Sequence, residues 1–281
     1  MESDLMDEVG RRISINGIEL HLAFPDKLTQ KWVGSRDPLE QLLAAWYLID
    51  ERDLPLTPRL LGPPGVGKTT LAYAAAELLG KEIYILQCTM DTRPEDLLIT
   101  PVIEGGHSIR YVASPLVSAM ICGGVCILDE GNRMSEKAWA SLAPLFDTRR
   151  YIESILAGLK IKAHPDFRAC VTMNDDSSTF ETPDYIQSRL QPQITLDYPE
   201  AEEERRILQE SLPFAEEWVI DYVVNFLQRA HERDERYSVR DGINIARYAT
   251  KRILGLHKRD QAESLLRQSI AMTLGDEATL L

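Results

Sequence analysis

Three things are scarce in this 281-residue sequence. No apolar run approaches the ~20 residues that a membrane-spanning helix needs, so no membrane insertion is expected. Basic side chains are outnumbered by acidic ones, 31 to 44, and the net charge of -13 speaks against broad electrostatic capture of DNA, RNA or an anionic membrane. The four cysteines, Cys88, Cys122, Cys126 and Cys170, lack the paired spacing of a zinc site and lie mostly in apolar stretches. They read as buried, reduced thiols. The five histidines never fall at a helical ligand spacing, so no protein-held metal is expected from them. Met1-Glu2-Ser3-Asp4 lacks the basic-then-apolar character of a signal peptide, which makes the cytoplasm the expected location.

What is present is a phosphate-binding string. Gly62-Pro63-Pro64-Gly65-Val66-Gly67-Lys68-Thr69-Thr70 fits the Walker A pattern of Gly, four residues, Gly, Lys, then Ser or Thr. Leu60-Leu61 ahead of it suits a strand and Leu71 to Leu79 behind it suits a helix, which is the context the motif requires. The glycines let successive N–H groups turn inward, and the helix N-terminus adds positive partial charge beneath the phosphates. Lys68 is then expected to reach the β/γ-phosphates of ATP, and Thr69 to place a hydroxyl on Mg²⁺.

Around this loop the chain alternates strand and helix patterns. Arg12 to Phe24, with Asn16-Gly17, predicts an N-terminal hairpin. Pro38 to Asp50 predicts an amphipathic helix with Asp37 as N-cap. Ile83 to Gln87 and Val125 to Leu128 are expected to be central strands. Between them, Leu98 to Ile103 and Ser108 to Val112 flank Glu104-Gly105-Gly106-His107 as a hairpin. Ser135 to Phe146 predicts a helix, and Tyr151 to Ile155 with Leu159 to Ala163 a second hairpin. Arg168 to Thr172 and Gln193 to Leu196 complete the strands. Beyond Pro199 only helical patterns remain, over Glu200 to Ser211, Ala215 to His231, Val239 to Leu254 and Arg259 to Thr273. The expected organisation is an α/β nucleotide-binding domain over 1–198, with hairpin insertions near 98–112 and 151–163, and a C-terminal helical lid domain over 199–281.

Val125-Cys126-Ile127-Leu128-Asp129-Glu130 has the form of a Walker B strand, apolar residues ending in two carboxylates. Asp129 is expected to hold Mg²⁺, and Glu130 to orient the attacking water, because phosphoryl transfer needs positioning and charge stabilisation more than covalent chemistry. Asn174 ends the strand expected beside it. Its amide could hold that water or the γ-phosphate, or simply form a turn with Asp175-Asp176.

Gly62 to Thr70, Asp129-Glu130-Gly131-Asn132-Arg133 and Thr172-Met173-Asn174, in this order and with helices following, resemble the AAA+ ATPases, and within them the MoxR group with its CbbQ and NorQ relatives. The resemblance spans about Trp32 to Thr250. It implies a P-loop NTPase (AAA+) parallel-sheet core with hairpin insertions and a small all-helical lid. By the same resemblance Asn174 takes the place of sensor 1, Arg189 in Gln187-Ser188-Arg189-Leu190 that of an arginine finger acting on a neighbouring subunit, and Arg240 that of sensor 2. The finger is followed by Leu190 where Phe is more usual. Trp32-Val33-Gly34 resembles the segment packing near adenine, and the Gly105 hairpin a pore-lining client contact. The implied activity is ATP hydrolysis with Mg²⁺ in a homo-oligomeric ring, a hexamer, that remodels a client protein through a von Willebrand factor A domain partner. A helicase-type nucleic-acid motor and a non-cycling nucleotide switch stand as alternatives.

Overall fold

The computed structural model describes residues 11–103, 109–175, 181–255 and 259–280. Two compact units divide the chain, one within 1–29, 37–61 and 69–195, the other within 30–36, 62–68 and 196–281.

The first unit opens with β1 (Arg12–Ile15) and β2 (Ile18–His21). The turn between them has positive φ at both Asn16 (51°) and Gly17 (81°), the geometry that an Asn-Gly hairpin turn needs. Next come α1 (Arg36–Trp46), β3 (Arg59–Gly62), α2 (Lys68–Leu78), β4 (Ile83–Gln87), α3 (Pro94–Leu97), β5 (Ile99–Ile103) and β6 (Ile109–Ala113). They are followed by α4 (Pro115–Cys122), β7 (Val125–Asp129), α5 (Glu136–Leu142), β8 (Tyr151–Ser154), β9 (Leu159–Lys162), β10 (Arg168–Asn174), α6 (Asp184–Gln187) and β11 (Gln193–Thr195).

A five-stranded sheet runs in the order β11-β3-β10-β7-β4. Strand β11 pairs with β3, and β10 and β4 with β7, all parallel. The two strands at its heart are the most completely buried: every residue of β10, and Val125 to Leu128 of β7. That is why they read as unbroken apolar runs rather than alternating ones. Ile83 to Gln87 is not central, as the sequence reading expected, but the edge strand of this sheet. Its free edge is covered by Asp26, whose N–H donates to the Ile83 carbonyl (2.7 Å) and whose carboxylate accepts the Ile85 N–H (2.7 Å). An apolar run signals burial, and cannot tell a neighbouring strand from a covering loop.

The insertion hairpin is present as antiparallel β5 and β6, with Ile103 opposite Ile109. Its Glu104-to-His107 turn lies outside the described residues. Strand β6 also pairs in parallel with β2, Leu20 opposite Tyr111, giving a second sheet in the order β1-β2-β6-β5. Nothing local announces this pairing, since the partners are about ninety residues apart. The second hairpin, β8 with β9, is a separate two-stranded sheet. Helix α1 is shorter than predicted. Past Trp46 the Asp50 and Asp53 carboxylates accept the N–H groups of Arg52 and Ile49, which builds a turn and leaves Ile49 exposed. Helix α4 was readable and missed: Ser114 caps it by accepting the Val117 N–H (3.1 Å), Pro115 follows, and Gly123 closes it at φ 72°.

In the second unit, α7 (Ala201–Ser211), α8 (Glu217–His231), α9 (Val239–Gly255) and α10 (Ala262–Leu274) share a core that includes Leu208, Val223, Leu227, Ile245, Ala249 and Leu266. Among the described residues no helix is long and apolar enough to cross a membrane. Cys88, Cys126 and Cys170 are buried and unbridged, and Cys122 is half-buried. Burial pushes the Cys88 thiol up to about 12.

One buried charge stands out. Glu204 has no exposed surface, and among the described residues only Oε2 has a donor, the Gln228 amide at 2.9 Å. Burial raises its carboxyl to about 7 against that hydrogen bond. The folded state therefore binds this proton more tightly than the unfolded chain. Stability from this group is full below the ordinary carboxyl pKa and is lost as pH rises through about 7. Glu204→Gln should remove that pH dependence and stabilise the protein at pH 8 by up to roughly 3 kcal/mol. Unfolding curves of both forms at pH 5 and pH 8 check it; equal differences at the two pH values would show that Glu204 is ionised at no cost.

Candidate functional site

The candidate phosphate loop is residues 62–68, where β3 ends and α2 begins. A side chain at Gly62 (φ 155°) would overlap the Leu196 carbonyl oxygen, and at Gly65 (φ 82°) a Cβ would lie 2.5 Å from Ser238 Oγ. Glycine is thus required at both, by backbone angle and by lack of space. The Arg240 Cβ lies within 3.3 Å of the same point, which brings the start of α9 against the loop. Arg240 itself is exposed, on a helix end capped by Ser238 and Asp241 (2.8 Å). The Trp32 indole sits against Gly67, 3.1 Å from where a Cβ would be. Gly34 and Ser35 follow it, and the Ser35 N–H is held by the Glu203 carboxylate (2.6 Å). Pro63 is half-buried and Pro64 exposed, Val66 is buried, and Lys68, also buried, turns its ammonium back onto the Gly62 and Pro63 carbonyls (2.8 and 2.7 Å). Neutral carbonyls are weaker partners for an ammonium than a phosphate. The loop fits an anion that takes them over.

Thr69 and Thr70 follow in α2. The Thr69 hydroxyl donates to Asp129 Oδ1 (2.6 Å), and so does the hydroxyl of Thr172 (2.6 Å), which the sequence reading had given no role. A hydroxyl beside a carboxylate offers the hard oxygens that Mg²⁺ takes, one or two protein ligands with phosphate and water supplying the rest. Thr172, fully buried in β10, also accepts the Glu130 N–H (2.9 Å). It thereby holds Glu130 in the left-handed region at φ 55°, a conformation costing a non-glycine residue about 1–3 kcal/mol.

The Glu130 carboxylate is surrounded by donors. Asn174 Nδ2 lies 3.2 Å from Oε1, and Gln87 Nε2 lies 3.2 Å from Oε2. Arg133 Nε comes to 2.7 Å from Oε2 in an ion pair whose N–H is poorly aimed. Asn132, buried beneath, donates to the Asn174 carbonyl (2.7 Å) and accepts the Asn174 N–H (3.3 Å). So the two residues after Gly131 act separately: Asn132 fixes the Asn174 backbone, and Arg133 pairs with Glu130. Sequence reasoning quoted both without assigning them contacts. Gln87 was missed because an exposed glutamine at a strand end carries no signal by itself.

Arg189 lies elsewhere, just beyond α6, half-buried. One of its terminal N–H groups donates to the Tyr185 carbonyl, and its Nε is 3.7 Å from Asp147. It makes none of the contacts described for Glu130, Asn174 and Asp129.

Thr172→Val keeps the shape and deletes both hydroxyl contacts. It strands the Glu130 N–H and should cost about 1–3 kcal/mol of stability. Chemical denaturation measures this, and an unchanged midpoint would mean that Thr172 does not hold Glu130.

Residues 59–190 match the family model described as the AAA domain (dynein-related subfamily). An uncharacterized protein of Staphylococcus epidermidis is 25% identical over 203 residues, covering 68% of this chain and 77% of its own. One from Staphylococcus aureus is 27% identical over 172 residues, covering 59% and 65%. Among solved structures, the Thermotoga maritima RuvB Holliday junction branch migration motor aligns with a TM-score of 0.58 at 16% identity, covering 86% of this chain and 72% of its own. A mutant of Thermotoga maritima RuvB aligns at 0.59 and 16%, covering 85% and 70%. At that identity the likeness shows the fold alone. The chain therefore has the α/β fold of the AAA+ P-loop proteins, and its residues 59–190 match an AAA domain of the dynein-related subfamily.

Proposed function

We propose that this chain is an ATPase that binds ATP with Mg²⁺ at the phosphate loop and hydrolyses it to remodel a partner protein, as a MoxR-type member of the AAA+ proteins. The observation that carries this reading is the convergence of the Thr69 and Thr172 hydroxyls on Asp129, next to a Glu130 carboxylate gripped by Asn174 and Gln87. Bound Mg²⁺ would neutralise charge on the phosphates. Lys68 would bind the β/γ-phosphates, and Thr69 and Asp129 would hold the ion. Glu130, fixed at its backbone by Thr172, orients the attacking water, and Asn174 keeps the carboxylate in place. Arg240, at the head of α9, supplies a further cation to the phosphates as sensor 2.

The assembly in this reading is a homo-oligomeric ring, a hexamer, with residues 1–198 as the nucleotide-binding domain and 199–281 as its lid. The net charge of -13 favours a protein client over nucleic acid. The β5–β6 hairpin is the client contact, and a protein with a von Willebrand factor A domain is the adaptor. Arg189 serves as the finger given to the neighbouring subunit, which accords with its partners among the described residues being Tyr185 and Asp147 rather than Glu130, Asn174 or Asp129.

Glu130→Gln should bind ATP and turn it over at least ~100-fold more slowly, since an amide cannot polarise the water. Steady-state phosphate release checks this, with near-normal turnover placing the catalytic carboxylate elsewhere. For the trans role, Lys68→Ala and Arg189→Ala proteins, each inactive alone, should regain part of the activity when mixed under exchanging conditions. Verified mixed rings that stay silent, while doping with wild-type subunits shows that isolated good interfaces fire, would remove Arg189 from that role.

A further inference from the structure

Arg189 does not stand alone on its carboxylate. Asp147, in the turn after α5, is already taken by Arg149. Arg149 Nε lies 3.0 and 3.1 Å from the two carboxylate oxygens, a terminal nitrogen reaches Oδ2 at 2.7 Å, and the Arg149 backbone N–H donates to Oδ1 at 2.9 Å. This is a two-pronged fork, the strongest pairing a carboxylate makes with a side chain. Arg149's hydrogen bonds hold the Asp147 carboxyl below its ordinary range.

Arg189 Nε is left 3.7 Å from Oδ2, too far for a hydrogen bond, and it is buried with no acceptor among the described residues. Its other contacts among the described residues are a carbonyl and a ring face, both from Tyr185, with the guanidinium carbon 6.0 Å from the ring centroid. More positive charge is gathered nearby. Lys160 Nζ lies 3.8 Å from the Tyr151 ring centroid and the Arg149 guanidinium carbon 5.7 Å from it. A half-buried guanidinium with an unpaired donor still has capacity for an anion. If Asp147 closed on it, that capacity would be spent.

We propose that Arg149 is a positioning residue: by occupying Asp147 with its fork, it holds Arg189 to a loose 3.7 Å ion pair with that carboxylate, keeps it from closing into a hydrogen-bonded one, and so leaves Arg189 available to an anionic group from outside. This rests on the reading of Arg189 as a finger for a neighbour's phosphate. A guanidinium is needed at 149 because an ammonium is a point charge and cannot grip both oxygens at once.

Two measurements test it, one without nucleotide. In chemical denaturation of the nucleotide-free protein, Arg189→Ala should barely move the midpoint in the wild-type background. In the Arg149→Ala background, where Asp147 is free to capture Arg189, the same substitution should lower the midpoint clearly. Equal shifts in both backgrounds would overturn the proposal.

In ATP turnover, Arg149→Ala should lower kcat by at least about tenfold, the scale of one redirected charge-assisted hydrogen bond, with the KM for ATP unchanged. Arg149→Lys should fall between. Adding Asp147→Asn to Arg149→Ala removes the captor and should restore kcat to within about threefold of wild type. Failure of that rescue in a folded, assembled double variant would also overturn the proposal. If Arg189→Ala alone retains full turnover, the finger reading falls instead, and the denaturation comparison decides the contest for Asp147.

Discussion

The arrangement depends first on one carboxylate oxygen accepting two hydroxyls. Asp129 Oδ1 takes Thr69 from the first turn of α2 and Thr172 from β10. Thr172 reaches it because β7 lies parallel to β10, with Val171 opposite Leu128. A shift of one residue in that register would turn Thr172 to the other face of the sheet, removing at once the second hydroxyl and the acceptor of the Glu130 N–H. The buried apolar runs of β7 and β10 therefore do more than fill a core: they fix the register on which the polar contacts depend.

From Asp129 onward each residue has a separate task. Glu130 takes the left-handed backbone, and Gly131 fits where a Cβ would strike the Val171 side chain. Asn132 clamps the Asn174 backbone from below, and Arg133 and Gln87 reach the Glu130 carboxylate from two sides. A strained residue persists only where its surroundings over-determine it, and here an acceptor for its N–H, an amide on each oxygen and a nearby cation do so. The loop over residues 62–68 is built by the same means. Gly62 and Gly65 are where neighbouring groups come too near for any side chain, and the Lys68 ammonium donates to the Gly62 and Pro63 carbonyls.

Most of the frame was legible because its signals are local. The strand, loop and helix around residues 62–68, the Asn16-Gly17 turn, the strand limits of β4 and the four C-terminal helices each follow from residues within a few positions of one another. What stayed illegible was set by distance along the chain. The β2–β6 pairing joins Leu20 to Tyr111, and the edge position of β4 depends on Asp26. At the site, the string Asp129-Glu130-Gly131-Asn132-Arg133 was visible, but its division of labour required knowing that Thr172 and Asn174 stand alongside. Glu204 illustrates the limit from the other side: within the run Glu202-Glu203-Glu204 it looks like a solvated charge, and only the packing of α7 on α8 makes it a buried acid beside Gln228.

The central claim is that residues 62–68 are a cradle for nucleotide phosphates, closed by the Lys68 ammonium. Equilibrium titration of the wild-type and Lys68→Ala proteins with fluorescently labelled ATP and Mg²⁺ tests it most directly. The account predicts saturable binding to the wild type and affinity weakened by about 100-fold in the variant, the loss of one strong charge-assisted contact. A folded Lys68→Ala protein that binds ATP as tightly as the wild type would contradict it.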